Sequence, residues 1–471
     1  MNQKPVCHVP EIKFHYYTII PHSSEPLVLL LSGDDGWILP HFVPVEQHFG
    51  AVGHINRAMQ AQLGIKVTVL RCVYHRLNRQ KYLQRVYALE NHSSSWNPPA
   101  WGRWVSRYEL NQLKLAVPEH LDVLKAWFDE AEGVALREGD VPWTIPGWFD
   151  RACDWIHEQL NRQRLGAISP IEQLKAWKLA CVLRVRTTAG NVYFKATPAL
   201  FAREPQLTQT LAKYYSTHLP EVLAADLEKC WILMRDVGGK ILQQVPDIEL
   251  WEAALRRFAQ IQIDSVQHLD SLIAEGWLDL RLDRLASQIH LLFQDALHHP
   301  EILQLLAFAP KLAALWEELA QLGVPHTLVH GDLSPRNICI SEDNYIYFDW
   351  SDSCISHPFF DIVRFLYEIE MELTDVPDAR TRLRNAYLEP WARYEPVERL
   401  ISAFERCSQI LVSLYEVILD RRLTAHQKEI VKWESFAPVP FYIKRLIFQV
   451  ATYLELSWRG GYSNSHLGNG H

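Results

Sequence analysis

The sequence has no apolar run long enough to cross a bilayer. Its most apolar short stretches, such as Leu27 to Leu31, fall far below the roughly 20 residues that a spanning helix needs. No charged segment followed by an apolar core opens the chain, which reads Met-Asn-Gln-Lys-Pro, so no secretory signal is expected. No CxxC pair occurs. The cysteines stand singly at Cys7, Cys72, Cys153, Cys181, Cys230, Cys339, Cys354 and Cys407, a spread that predicts buried thiols in a reducing, cytoplasmic setting rather than a disulfide framework or a zinc site. Internal repeats and low-complexity tracts are absent. So is an excess of positive charge: 47 basic against 55 acidic residues leave a net charge of −8, which argues against a nucleic-acid partner or an anionic membrane surface.

What is present is ordinary globular composition, 48% hydrophobic and 22% charged over 471 residues, enough for two to four domains at about 100–200 residues each. Three regions separate by pattern. Residues 1–130 hold strand-like runs at Leu27–Leu31, Lys66–Tyr74 and Tyr82–Leu89 around a helix-like stretch from Val52 to Leu63, a small α/β unit. Residues 131–150 are punctuated by Gly133, Gly139, Pro142, Pro146 and Gly147 and read as a linker. From Trp148 the chain opens with a helix. Strands follow at Cys181–Thr187, Val192–Ala196 and Trp231–Arg235, and after Leu250 the pattern is mostly helical except for strand and loop over 328–349. Residues 461–471 are polar and read as a flexible tail.

The densest chemistry lies in Val329-His330-Gly331-Asp332-Leu333-Ser334-Pro335-Arg336-Asn337-Ile338, followed by Ile346-Tyr347-Phe348-Asp349-Trp350. Apolar strands flank two loops, and each loop carries a carboxylate. Phosphoryl transfer from a nucleotide asks for such a set: one carboxylate to orient a hydroxyl and take its proton, and a carboxylate with a neutral oxygen to hold Mg²⁺ on the phosphates.

These motifs resemble the aminoglycoside phosphotransferase and choline kinase-type branch of the protein-kinase-like superfamily, whose HGD-x-x-x-x-N-I is followed by a hydrophobic strand ending in Asp-Trp. A Pro-x-x-Asp stretch follows in that branch, and Pro358-Phe359-Phe360-Asp361 matches it. The resemblance covers about residues 150–460. It implies an α+β, protein-kinase-like two-lobed phosphotransferase domain, with a nucleotide-binding N-lobe over 151–237 and a mostly helical C-lobe over 238–460. It also implies ATP and Mg²⁺ as cofactors and a small-molecule hydroxyl as the acceptor. Asp332 is then the catalytic carboxylate, and Asn337 and Asp349 the metal ligands. His330 belongs to the catalytic loop, bracing it by hydrogen bonds or taking a direct part. Asp361 anchors the loop and the helix after it. Asp352 either serves substrate or metal or is a solvated turn residue.

On the nucleotide side, Lys195 stands on one face of the strand Asn191–Ala196 among apolar neighbours and needs an anionic partner, for which an ATP phosphate is suited. The resemblance gives it Glu204 as companion, at a helix start before Pro205. The phosphate-covering turn falls in Trp177–Cys181 and holds no glycine, so neither a G-x-G-x-x-G nor a Walker A motif exists here; Lys178 is a candidate phosphate contact. Backbone groups from Met234 to Val237 would meet the adenine edge. Glu368, Glu370, Glu372, Asp375 and Asp378 form either an acidic acceptor wall or a solvated helix surface, since Arg380, Arg382 and Arg384 follow. Trp391, Trp433 and Trp458 either stack on an acceptor or fill the core.

The N-terminal region, over about residues 15–125, resembles a degenerate Nudix domain by its strand, Leu39-Pro40 turn and helix ending at Gly64. The helix's arginine position holds Arg57, but Ala58, Ala61 and Gln62 stand where that family has carboxylates, and Glu46 alone does not rebuild a metal cluster. A Nudix-like fold without hydrolase chemistry is expected. Two other readings remain open on sequence alone: a non-catalytic, pseudokinase-like nucleotide-binding module, and a pyrophosphohydrolase with a kinase-like appendage. The oligomeric state is not encoded in any of these motifs.

Overall fold

The computed structural model describes residues 12–78, 81–133, 141–284, 309–341, 344–369, 373 and 376–425. The fold is α+β, and the chain forms two compact units: Met1–Pro205 with Val222–Asp236, and Gln206–Glu221 with Val237–His471.

In the first unit, β1 (Lys13–Ile19) lies parallel to β6 (Tyr82–Asn91). Strands β4 (His41–Phe42) and β5 (Val67–Leu77) complete a sheet ordered β4-β1-β6-β5. A second sheet joins β2 (Leu27–Gly33) to β3 (Gly36–Ile38) and β7 (Gly102–Ser106). Alternation along β1 sends Tyr17 and Ile19 into a core with Leu124 and Phe128 of α3 (His120–Gly133). Tyr16 and Thr18 face the other way, toward α1 (Gly53–Leu63), where the Thr18 hydroxyl meets Met59 Sδ at 3.2 Å. Helix α1 ends at Gly64 in the left-handed conformation (φ 69°), the backbone state glycine reaches without penalty. A short helix, α2 (Arg107–Leu110), opens on a capping box between Ser106 and Glu109.

The same unit then builds a five-stranded antiparallel sheet ordered β11-β12-β10-β9-β8 from β8 (Glu172–Trp177), β9 (Ala180–Thr187), β10 (Gly190–Ala196), β11 (Val222–Asp226) and β12 (Trp231–Arg235). One face of it is closed by α4 (Trp148–Arg162), whose buried Ala152, Ile156 and Leu160 recur every four residues. Phe194 points into that face, with Trp148, Trp155 and Trp231 rings at 5.4–6.2 Å. The neighbouring residue, Lys195, therefore points to the opposite face.

Strand β8 is not a bare edge. Val52 donates its N–H to Leu174 O and Ala176 to Gly50 O, both at 2.9 Å, so residues 50–52 extend the ladder. The Gln173 side chain reaches into β5, accepting from Val69 N at 2.8 Å and donating to Val69 O at 2.9 Å, where a bulge interrupts the β5–β6 pairing. In the stretch read as a linker, Trp143 is buried and donates Nε1–H to Trp177 O at 2.9 Å.

The second unit packs around α6 (Ile248–Ser265), capped by Asp247, whose Oδ1 accepts from Glu249 N at 3.0 Å. Its core holds Phe258, Tyr347, Trp350, Phe359 and Trp391. Short strands frame the loops of interest. β13 (Lys240–Ile241), β16 (Ile338–Ser341) and β17 (Asn344–Tyr347) form one sheet; β14 (Leu278–Asp279), β15 (Thr327–Val329) and β18 (Cys354–Ser356) form another. β13, β14 and β18 carry too few residues to leave a sequence period.

Candidate functional site

The loop 330–337 is suspended between β15 and β16, with a single 3₁₀ turn at Pro335–Asn337. Gly331 has φ +83°, and a Cβ there would collide with the Asp352 carbonyl, so the two loops approach at a point only glycine fits. Beneath the loop lies Asp361, in the first turn of the helix Phe359–Ile369. Its Oδ2 accepts from His330 N at 2.8 Å and from Gln262 Nε2 at 2.9 Å, and its Oδ1 accepts from Gly331 N at 3.0 Å. Full burial pushes this carboxyl up to about 7 despite the two backbone donors, and the neighbouring charge of Asp332 adds to the rise. Gln262, fully buried on α6, also donates to Leu328 O at 3.0 Å and accepts from the Tyr387 hydroxyl.

Asp332, a third exposed, presents its carboxylate at the top of this scaffold. Asn337 Nδ2 donates to Asp332 Oδ2 at 3.1 Å and to its carbonyl at 2.9 Å. Arg364 Nη2 takes the other carboxylate oxygen at 3.0 Å. With Nδ2 turned to Asp332, the Asn337 Oδ1 accepts no hydrogen bond from any described residue. His330 is fully buried. Its Nδ1 accepts from Asp332 N at 3.3 Å and its Nε2 donates to Phe348 O at 3.1 Å, with the Trp350 ring 4.5 Å away. Both ring nitrogens are thus occupied: Nδ1 braces its own loop and Nε2 ties that loop to the second.

Asp349 follows β17 with φ +68°, a left-handed conformation that non-glycine residues seldom hold, and accepts from the Ser351 hydroxyl at 3.1 Å. Asn337 and Asp349 are linked through the chain, since Phe348 N donates to Asn337 O at 3.1 Å. An amide oxygen without a donor and a carboxylate are both hard oxygen ligands, so this donor set fits Mg²⁺. Among the described residues, no group of three or more His, Cys, Asp or Glu side chains could hold a metal ion by itself.

In the first unit, Lys195 Nζ lies 2.5 Å from Glu204 Oε1, with both side chains nearly buried. Glu204 is the first residue of α5 (Glu204–Tyr214), the helix start expected from Pro205. Lys178, also buried, sits at the turn between β8 and β9. Met234 pairs with Tyr193 in β12, and Val237 lies just beyond that strand, both half-buried.

The sequence did not single out Arg364, Gln262 or Gln173. Arg364 had a findable signal: it stands three residues after Asp361 on one helix, so both side chains face the same loop. The two glutamines left none, because their partners lie far away in the chain. Glu370, Glu372, Asp375, Trp433 and Trp458, and the side chain of Glu368, lie outside the described residues. Trp391 is fully buried, which places it in the core.

Residues 181–397, a little under half of the chain, match the phosphotransferase enzyme family. No curated protein matches the sequence. Among solved structures, the chain is similar to choline kinase LicA from Streptococcus pneumoniae (14% identity, 64% of this chain and 100% of that one, TM-score 0.44). It is also similar to an ethanolamine kinase of Plasmodium vivax (11%, 73% and 96%, 0.46). A third is amicoumacin kinase in complex with AMP-PNP, Ca²⁺ and Ami (12%, 64% and 96%, 0.43).

Proposed function

We propose that this chain is an ATP- and Mg²⁺-dependent phosphotransferase acting on a hydroxyl of a small molecule. The observation that carries the reading is the pairing of Asp332 with Asn337. One side chain holds the other's carboxylate through Nδ2 and keeps Oδ1 open, so a base and a metal ligand are set by a single residue. The family match over 181–397 supports it.

In this reading Asp332 accepts a hydrogen bond from the acceptor hydroxyl and takes its proton as the oxygen attacks the γ-phosphorus. The bond to the β,γ-bridging oxygen breaks and ADP leaves. Mg²⁺, when bound, neutralises phosphate charge. Asn337 Oδ1 and the Asp349 carboxylate would hold it. Lys195, fixed by Glu204, engages nucleotide phosphate, and backbone groups near Met234 and Val237 meet the adenine edge. His330 acts through the loop it braces. Catalysis comes chiefly from positioning and electrostatics.

The N-terminal region is, in the same reading, a Nudix-like fold without hydrolase chemistry, since α1 (sequence GHINRAMQAQL) has no carboxylate. A cytoplasmic setting agrees with the free cysteines among the described residues. No helix among those residues is long and apolar enough to cross a membrane.

The test is direct. The purified protein is incubated with γ-labelled ATP, Mg²⁺ and a pooled small-metabolite extract, beside Asp332→Ala. A labelled product formed only by the unaltered protein is expected, and its mass identifies the acceptor. ATP protection against heat without any transferred label, across acceptor pools covering alcohols, sugars and amino alcohols, would contradict it.

A further inference from the structure

The N-terminal region holds a buried cation that no carboxylate among the described residues neutralises. Arg85, in the middle of β6, is 6% exposed. Its Nε donates to His75 Nδ1 at 3.1 Å, and its Nη1 donates to the Tyr16 hydroxyl and to Gln47 O, both at 2.6 Å. Every one of these partners is neutral. The rings of Tyr16, Phe49 and Phe14 lie 5.3, 5.8 and 5.9 Å from the guanidinium carbon, which softens the desolvation of the charge without cancelling it. Among the described residues Arg85 has no carboxylate partner. The Tyr87 hydroxyl is a further partner of the guanidinium and is equally neutral, so hydrogen bonds are supplied but no counter-charge. A buried, uncompensated charge is among the costliest features a fold can carry, and proteins resolve it with an anion.

A second, independent feature lies against the same Tyr16 ring. His54, in the first turn of α1, is 4% exposed, and neither ring nitrogen has a hydrogen-bond partner. Its ring is 5.8 Å from that of Tyr16 and 5.9 Å from that of Phe42. Burial lowers its pKa, so it stands as a neutral imidazole with one unsatisfied N–H donor. Two charged groups approach it: Glu46, exposed and 3.8 Å from Nδ1, beyond hydrogen-bond reach, and Arg57, whose charge helps to hold the ring neutral. The first turn of α1 has no acidic residue and no side-chain cap, so the field of its free N–H groups remains positive there. Just before Glu46 the chain is exposed, Val43 by 68% and Val45 by 84%.

We infer that the Arg85–His54 corner is a binding site for the oxyanion group, phosphate or carboxylate, of a small molecule. A bound oxyanion gives Arg85 its missing counter-charge and gives His54 an acceptor. The half-buried rings of Phe14 and Phe49 and the exposed valines give the remainder of such a molecule an apolar surface. The site lies within the first unit and does not rest on the transferase reading.

The test uses the full-length chain. Thermal midpoints are measured against rising sodium phosphate and, in parallel, sodium acetate, with sodium chloride at matched ionic strength as reference. The expected result is a saturable upward shift that is smaller in Arg85→Gln and in His54→Phe, and the anion giving the larger shift identifies the end group. Because Arg85→Gln can unfold the region, a crystal of the unaltered protein soaked in sodium selenate provides a second readout. Anomalous density within hydrogen-bond distance of Arg85 is expected. Its absence, or an anion response that Arg85→Gln and His54→Phe leave unchanged, overturns the inference.

Discussion

Arg364 Nη2 lies 3.0 Å from Asp332 Oδ1, so the carboxylate assigned to the acceptor hydroxyl is already held by a cation on its flank. With Asn337 on the other oxygen, the group is fixed in rotation, as a base in a positioning mechanism must be. Arg364→Met should therefore lower transfer by about ten- to a hundredfold, the scale expected for a displaced catalytic group. Nucleotide affinity should be unchanged. Parallel transfer and nucleotide-binding measurements check this; equal losses in both would place Arg364 in nucleotide binding instead.

The Lys195–Glu204 pair is nearly buried on both sides, which makes removal of one partner far more costly than removal of a surface ion pair. Glu204→Ala should destabilise the protein by about 3 kcal/mol. A denaturant titration of Lys195→Ala, Glu204→Ala and the double variant tests the pairing: the double variant should lose less than the two single losses added together. Strict additivity would show that the two side chains do not act as a unit.

Gln173 closes the gap that the bulge opens in β5. Gln173→Leu removes both partners of the buried Val69 amide and should cost about 2 kcal/mol or more. Trp143→Phe removes only the donor to Trp177 O, at the base of the turn that carries Lys178. It should raise amide exchange at residues 177–180 with a smaller global loss. Unchanged exchange there would show that Trp143 does not secure the turn.

The residues of the candidate site were legible because their spacing is local: H-x-D-x-x-x-x-N places Asp332 and Asn337 on one loop, five residues apart. Glu204 at a helix start followed from the proline after it, and the strands Ala180–Thr187 and Trp231–Arg235 from their apolar content. What the sequence withheld is the scaffold. Gln262 meets Asp361 from 99 residues away and Gln173 meets Val69 from 104, and such polar contacts leave no period. Nor did composition reveal that the nominal linker contributes a buried tryptophan, because its glycines and prolines dominate the pattern.

Stability should depend on pH in two opposing ways. Asp361 is raised to about 7, so the folded chain keeps a proton that the unfolded chain releases near 4, and this contribution falls as pH rises between those values. His357 and His120 are lowered by burial to about 3 and about 4, so their contribution is full above 6.5 and is lost as pH falls toward those values. The stability deficit of Asp361→Asn relative to the unaltered protein should therefore shrink from pH 4.5 to pH 7 in urea titrations. A constant deficit would mean that Asp361 keeps an ordinary carboxylate pKa in the fold.

Asp332 is assigned to the acceptor hydroxyl and not to the nucleotide. Single-turnover transfer of γ-label, measured for the unaltered protein and Asp332→Asn at saturating ATP and Mg²⁺ together with the ATP dissociation constant, separates the two. Near-equal ATP affinity is expected, with a loss of transfer of about a thousandfold or more, within the range that general-base catalysis contributes. Transfer by Asp332→Asn within a few-fold of the unaltered protein would contradict it.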